Sequence, residues 1–297
     1  MIVLGRDGFS ESLAKETGSE FIIVESKVFP DGESYFRISE PGKVKGKKAV
    51  LVVRGESPGL DQNRMLTECL LLLGKLRELG AKKTCLVLPY VPYSRQDREF
   101  LKGETVSIKT IRALLKGKCD LLVNVASHDF RKGGWIGRKT YNLDATGSIS
   151  EFLKGKGLKD PVVIAPDMGV SGSADKLAKS LGGDSVVLGK ERDRKTGKIA
   201  TSGDLPGLRG REVVIYDDMV STGGTVYNAL KMARKAGAGR IFCVAVHVIS
   251  VMNEKLKKNS LDLIRGECEL VSTNTIGSEV SRISVIPDIA RVLLKNF

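Results

Sequence analysis

The chain is predicted to fold as two α/β units in tandem, each a mostly parallel sheet flanked by helices, and two observations predict it. Short apolar runs alternate with amphipathic stretches from one end to the other, the pattern of parallel strands joined by crossover helices. Each half holds enough of these runs for a sheet of its own, and 297 residues suffice for one large or two medium cores.

In the first half the apolar runs at 2–4, 21–24, 49–53, 84–88 and 120–125 read as strands, and 61–79 and 105–116 as helices. In the second half strands are expected at 162–165, 185–188, 212–216, 240–248 and 283–286. Helices are expected there at 146–153, 173–180, 225–235 and 287–295. No Pro- or Ser-rich linker marks the junction, which is placed near 142–145.

Hydrophobic content of 41% and charged content of 28% suit a globular protein. No apolar run approaches the roughly 20 residues of a membrane span, and the start lacks the pattern of a secretory leader. Cysteines 69, 85, 119, 243 and 268 are scattered without CxxC spacing, which points to reduced thiols and a cytoplasmic location. A net charge of +13 suits polyanionic ligands. The lysines are dispersed, however, and aromatic content is 5%, so nucleic acid is not the expected partner.

The most informative stretch is 213–225, VVIYDDMVSTGGT. An apolar strand leads to Asp217 and Asp218, then to a loop of Ser221, Thr222, Gly223, Gly224 and Thr225, then to a helix. Such a loop can hold a phosphate with backbone N–H groups at a helix N-terminus. The two acids repel phosphate unless they face sugar hydroxyls or a metal ion. The bland alternative is a turn with a capping Ser or Thr.

Other stretches stand at the ends of expected strands. Phe29, Asp31 and Glu33 lie in FPDGE, which is a turn signal and also offers an aromatic face and two acids. Arg95, Gln96 and Asp97 lie in YSRQDR, after two prolines, where open α/β sheets bind ligands. The alternative there is a salt bridge within the loop. Asp167 follows a strand in PDMG, and Lys190 and Arg192 open a charged run that reads as a solvated loop. Of the two histidines, His128 follows a strand and His247 ends an apolar one, which favours a structural role for the latter.

The segment 213–225 resembles the phosphoribosyl pyrophosphate motif of the phosphoribosyltransferase fold. With FPDGE, YSRQDR and the Thr273–Ile276 run, the similarity narrows to the ribose-phosphate pyrophosphokinase family over nearly the whole chain. That resemblance implies two phosphoribosyltransferase-like domains at 1–143 and 144–286, with the helix at 287–297 packed on the first. It implies that ATP gives its diphosphoryl group to ribose 5-phosphate. Asp217 and Asp218 would hold the ribose hydroxyls and Ser221–Thr225 the 5-phosphate. Phe29, Asp31 and Glu33 of a neighbouring subunit would complete an ATP site with Arg95, Gln96 and Asp97, so a homo-oligomer, dimer or larger, is implied. Lys190 and Arg192 would close over the reacting phosphates, and His128 would contact them. Mg²⁺ would be held by His128 and Asp167; Asp129, which is not part of the family pattern, would compensate as a metal-facing acid for the one missing before His128. The sequence departs from the family where Ala126 precedes His128 in place of an acid. That departure motivates one competing reading, a catalytically weakened regulatory partner of an active synthase; the positive charge motivates another, a phosphoribosyl pyrophosphate-sensing, nucleic-acid-binding regulator.

Overall fold

The computed structural model describes residues 1–127, 139–192, 199–202, 205 and 207–297. By contact density the chain divides into Met1–Asp144 with Val285–Phe297, and Ala145–Ser284.

The first unit runs β1 (Ile2–Gly5), α1 (Gly8–Glu16), β2 (Glu20–Val28), β3 (Ser34–Ile38), β4 (Lys48–Val52), α2 (Gln62–Glu78), β5 (Lys83–Val87), α3 (Ser107–Leu115), β6 (Leu121–Val125) and β7 (Lys139–Leu143). Its seven strands lie in the order β3-β2-β1-β4-β5-β6-β7. All neighbours are parallel except β2 and β3, which form an antiparallel hairpin. The central strands are buried on both faces and read as unbroken apolar runs, as parallel strands do. Leu72, Leu73 and Leu76 of α2 pack on Leu51 and Leu86 within one core. Asp61 caps α2 by accepting from the Arg64 N–H.

The second unit runs α4 (Thr146–Gly155), β8 (Val162–Ala165), α5 (Ser171–Leu181), β9 (Asp184–Val187), β10 (Gly189–Arg192), β11 (Ile199–Ser202), β12 (Val213–Val220), α6 (Gly224–Lys235), β13 (Ile241–Val248), β14 (Met252–Asn253), β15 (Lys258–Asn259), α7 (Ser260–Arg265), β16 (Glu269–Thr273) and β17 (Ser281–Ile283). Its main sheet has the order β17-β16-β13-β12-β8-β9, parallel throughout. The final helix, α8 (Ile286–Asn296), belongs with the first unit. There Tyr141 Oη donates to Asn296 Oδ1 at 2.7 Å.

The two sheets are wound alike. From β1 the chain steps to β2 on one side, then returns to place β4 on the other. From β8 it steps to β9, then returns to place β12 on the other side. Each unit therefore has a topological switch point, β1/β4 in one and β8/β12 in the other, and open α/β sheets bind ligands outside the carboxyl ends of strands at such points.

Several elements differ from expectation. The strand expected at 283–286 is shorter and earlier, and Ile286 instead opens α8, where Pro287 suits the first turn. The strand expected to stop at Tyr216 continues to Val220, because β13 pairs with it as far as Val248. The charged run after Gly189 begins as a strand, β10, paired antiparallel with β11. No described helix is long and apolar enough to cross a membrane.

Candidate active site

The switch point of the second unit gathers its acidic residues. Strand β8 pairs with β12 at Val213–Ile215, so β12 beyond Ile215 overhangs its shorter neighbour. Asp217 and Asp218 sit on this overhang, half-buried. Asp167 enters from the loop after β8, where its Oδ1 accepts from the Gly169 N–H at 2.8 Å. Burial, then the charges of Asp218 and Asp167, push the Asp217 carboxyl well above the usual carboxylate range, while the Met219 N–H opposes the shift. Part of the Asp217 residue reaches solvent, but its carboxyl group is enclosed, so burial leads. Three acids converging at the mouth of a crevice favour a ligand that brings hydroxyl donors or positive charge.

The loop Ser221–Thr225 then turns into α6. Gly223 occupies the position before the helix with φ of 73°, in the left-handed region, and no side chain caps the helix there. The expected alternative of a capping Ser or Thr is therefore not what the loop does. The backbone N–H groups of the first turn face the loop, and the helix dipole adds partial positive charge. Loop and acids thus set backbone N–H donors and carboxylates side by side.

Lys190 and Arg192 lie on β10, opposite Thr201 and Ile199 of β11. His128 and Asp129 lie outside the described residues. His247 is buried, with Nδ1 2.8 Å from the Thr275 hydroxyl, in agreement with a structural role. Thr273 and Thr275 both donate to the Val246 carbonyl, at 2.7 and 2.9 Å, so the Thr273–Ile276 run closes the end of β13.

In the first unit, Phe29, Asp31 and Glu33 form the tip of the β2–β3 hairpin. The turn is tight: Gly32 N–H donates to Phe29 O at 2.9 Å, and Phe29 N–H to Glu33 O at 2.8 Å. The turn signal is thus correct, and the three side chains remain exposed. Phe29 meets Tyr35 edge-on at 5.7 Å, with the Lys27 ammonium 5.0 Å from the Phe29 ring. Strand β1 pairs with β2 up to Ile23, so the hairpin from Val24 onward projects beyond the sheet as an arm.

Arg95, Gln96 and Asp97 follow β5. Arg95 is exposed. Gln96 Nε2 donates to Glu104 Oε2 at 3.2 Å, and that carboxylate also accepts the N–H groups of Phe100 and Leu101. Asp97 forms a bidentate pair with Arg98, 2.9 Å on each arm, so the loop salt bridge expected as the alternative is present for these two residues. Strands β1 and β4 separate β2 from β5, so the hairpin and this loop stand at different places along the sheet edge.

Two groups escaped the sequence reading. One is an ion-pair network at the β1/β4 switch point, where Glu68 is buried at 1% exposure and receives both arms of Arg6 at 2.8 Å. Arg54 pairs there with Asp7. No motif announces it, because its members are 62 and 47 residues apart. The other is Asn253 of β14, whose side chain donates to the Thr222 carbonyl at 2.9 Å.

Residues 4–118 match the N-terminal domain of ribose phosphate pyrophosphokinase, and residues 141–281 the phosphoribosyl transferase domain. The chain is 37% identical to a ribose-phosphate pyrophosphokinase of Sulfurisphaera tokodaii, over 98% of this chain and 99% of the relative. It is 36% identical to that of Sulfolobus acidocaldarius, over 96% and 97%. The crystal structure of phosphoribosylpyrophosphate synthetase from Mycobacterium smegmatis superposes with a TM-score of 0.82 at 25% identity, covering 100% of this chain and 99% of that one. With both halves matched in order and relatives aligned from end to end, the chain belongs to the ribose-phosphate pyrophosphokinase family.

Proposed function

We propose that the protein transfers the diphosphoryl group of ATP to the C1 hydroxyl of ribose 5-phosphate, giving phosphoribosyl pyrophosphate and AMP. The observation that carries this reading is the β8/β12 crevice, where a helix N-terminus without a side-chain cap adjoins three acids. The 5-phosphate binds the Ser221–Thr225 loop, and Asp217 and Asp218 take the ribose hydroxyls. The C1 oxygen attacks the β-phosphorus of ATP. The bond from that phosphorus to the α,β-bridging oxygen breaks, AMP leaves with the bridging oxygen, and the hydroxyl proton passes to solvent. Such a transfer needs alignment and charge neutralisation more than covalent participation by the protein.

Lys190 and Arg192 neutralise the charge that develops on the transferring phosphates. Arg95 and Gln96 bind the nucleotide, with Asp97 fixing the loop through Arg98. Phe29, Asp31 and Glu33, exposed on a projecting arm, serve the nucleotide site of a second copy, so the working form is a homo-oligomer. His128 contacts the ATP phosphates.

The donor set fits Mg²⁺. The described residues hold no group of three protein ligands arranged for a metal, but Mg²⁺ characteristically takes one or two carboxylates and completes its shell with phosphate oxygens and water. Asp167 would hold it beside Asp217, whose carboxyl is pushed up by burial and then by the charges of Asp218 and Asp167, with His128 and Asp129 as further donors. Bound there, the ion would offset phosphate charge.

The test is AMP release from ATP, Mg²⁺ and ribose 5-phosphate, with each component omitted in turn. Lys190→Ala is expected to lower kcat by about 10²–10³-fold, as loss of a preorganised donor does. Undiminished turnover would remove that role.

A further inference from the structure

Asn253 occupies the short hairpin of β14 and β15 that follows β13, where it pairs with Lys258. It is buried at 7% exposure, unusual for a polar residue on a surface hairpin, and both ends of its amide are used. Oδ1 accepts from the Leu256 N–H at 3.1 Å, which shapes the hairpin itself. Nδ2 donates to the Thr222 carbonyl at 2.9 Å, which reaches across 31 residues into the phosphate loop.

That second bond fixes a peptide plane. A trans peptide directs its C=O and the following N–H to opposite sides. With the Thr222 carbonyl held on the hairpin side, the Gly223 N–H is turned away from the hairpin. Among the described residues no acceptor is found for that N–H. There is little room behind the plane as well, since a Cβ added at Gly223 would stand 3.2 Å from Ile264 Cδ1 and 3.3 Å from Ser260 Cβ of α7. Ser260 in turn is tied to the hairpin, its N–H donating to Val251 O at 3.0 Å. Hairpin, α7 and loop thus form one hydrogen-bonded unit.

We infer that Asn253 is the positioning residue of the phosphate loop: by holding the Thr222 carbonyl it presents the Gly223 N–H to the 5-phosphate of the pentose. The inference rests on the proposed reaction for its ligand, and the two ends of the amide give it a specific test. Asn253→Asp is nearly isosteric and keeps the acceptor for Leu256, so the hairpin persists. It replaces the donor with a carboxylate oxygen facing the Thr222 carbonyl, which repels it.

The expected result is a rise of about tenfold or more in the Kd for ribose 5-phosphate, read by calorimetry, with a matching rise in its KM. The KM for ATP should stay within about twofold of wild type, and kcat should fall far less than in Lys190→Ala. Asn253→Ala should weaken ribose 5-phosphate less than Asn253→Asp, since it removes the bond without adding repulsion. Wild-type affinity in Asn253→Asp would overturn the inference, as would equal losses for both substrates. A wild-type protein that binds ribose 5-phosphate but releases no AMP would sink the reaction and leave the calorimetric comparison standing. No binding of ribose 5-phosphate by wild type would sink both.

Discussion

Gly223→Ala isolates the backbone demand of the Ser221–Thr225 loop. Its φ of 73° costs an alanine about 1–2 kcal/mol. The added Cβ would also stand 3.2 Å from Ile264 Cδ1, 3.3 Å from Ser260 Cβ and 3.4 Å from the Ser260 carbonyl oxygen. The isoleucine tip can yield by a few tenths of an ångström, but the Ser260 backbone is held by its bond to Val251. Against this, alanine narrows the unfolded ensemble by about 0.4–1 kcal/mol. The net loss is about 1–2 kcal/mol, or about 3–8 °C in the Tm of the second unit. Gly224→Ala is the matched control. Gly224 is helical, and its Cβ would meet Asn253 Nδ2 at 3.5 Å, an ordinary contact. It should leave Tm unchanged or slightly raised. Calorimetric melting without ligands compares the two, which removes any effect of the added methyl on phosphate. Equal falls in both variants, or an unchanged Gly223→Ala, would refute the claim that the left-handed turn is the constraint.

Two further outcomes follow from the ion pairs. Arg6→Ala leaves Glu68 buried without its bidentate partner and should cost about 3–5 kcal/mol in urea unfolding of the first unit. Replacing both residues by apolar ones of similar volume should recover most of that loss. Glu269 is held below its usual range by its hydrogen bond to Lys156 and then by Arg240. Its contribution is therefore fully present above the unfolded carboxylate pKa of about 4.3 and is lost as pH falls through the lowered folded value. Glu269→Gln should flatten that acid limb of Tm against pH, by less than about 1 kcal/mol because the pair is largely exposed.

What the sequence made legible was what a short window contains. Helix α2 was readable as an amphipathic stretch, and the central strands as apolar runs. The strand–loop–helix order at 213–225 was readable because acids, small residues and helix follow one another within 13 positions. Helix α1 was not, since Phe9, Leu13 and Ala14 are a thin apolar stripe. Strand β16 ends in Ser272 and Thr273, which are buried by pairing and hydroxyl bonds that no local pattern records. The extension of β12 through its acids depends on the length of β13. Asn253 was invisible for the same reason, because its partner lies 31 residues away.

The two switch points show why winding alone assigns no chemistry. At β1/β4 a cavity of about 370 Å³ is lined by Arg6, Arg54 and Arg64, with Asp7, Glu56 and Asp61 among them. Its charges cancel within the chain: Arg6 is paired with Glu68, Arg54 with Asp7, and the N-termini of α1 and α2 are capped by Asp7 and Asp61. At β8/β12 the same connection leaves α6 without a side-chain cap and sets three acids together, with burial and then the charges of Asp218 and Asp167 raising Asp217. Two similar scaffolds thus diverge at the helix that follows the switch point, where one carries Asp61 as its cap and the other Gly223.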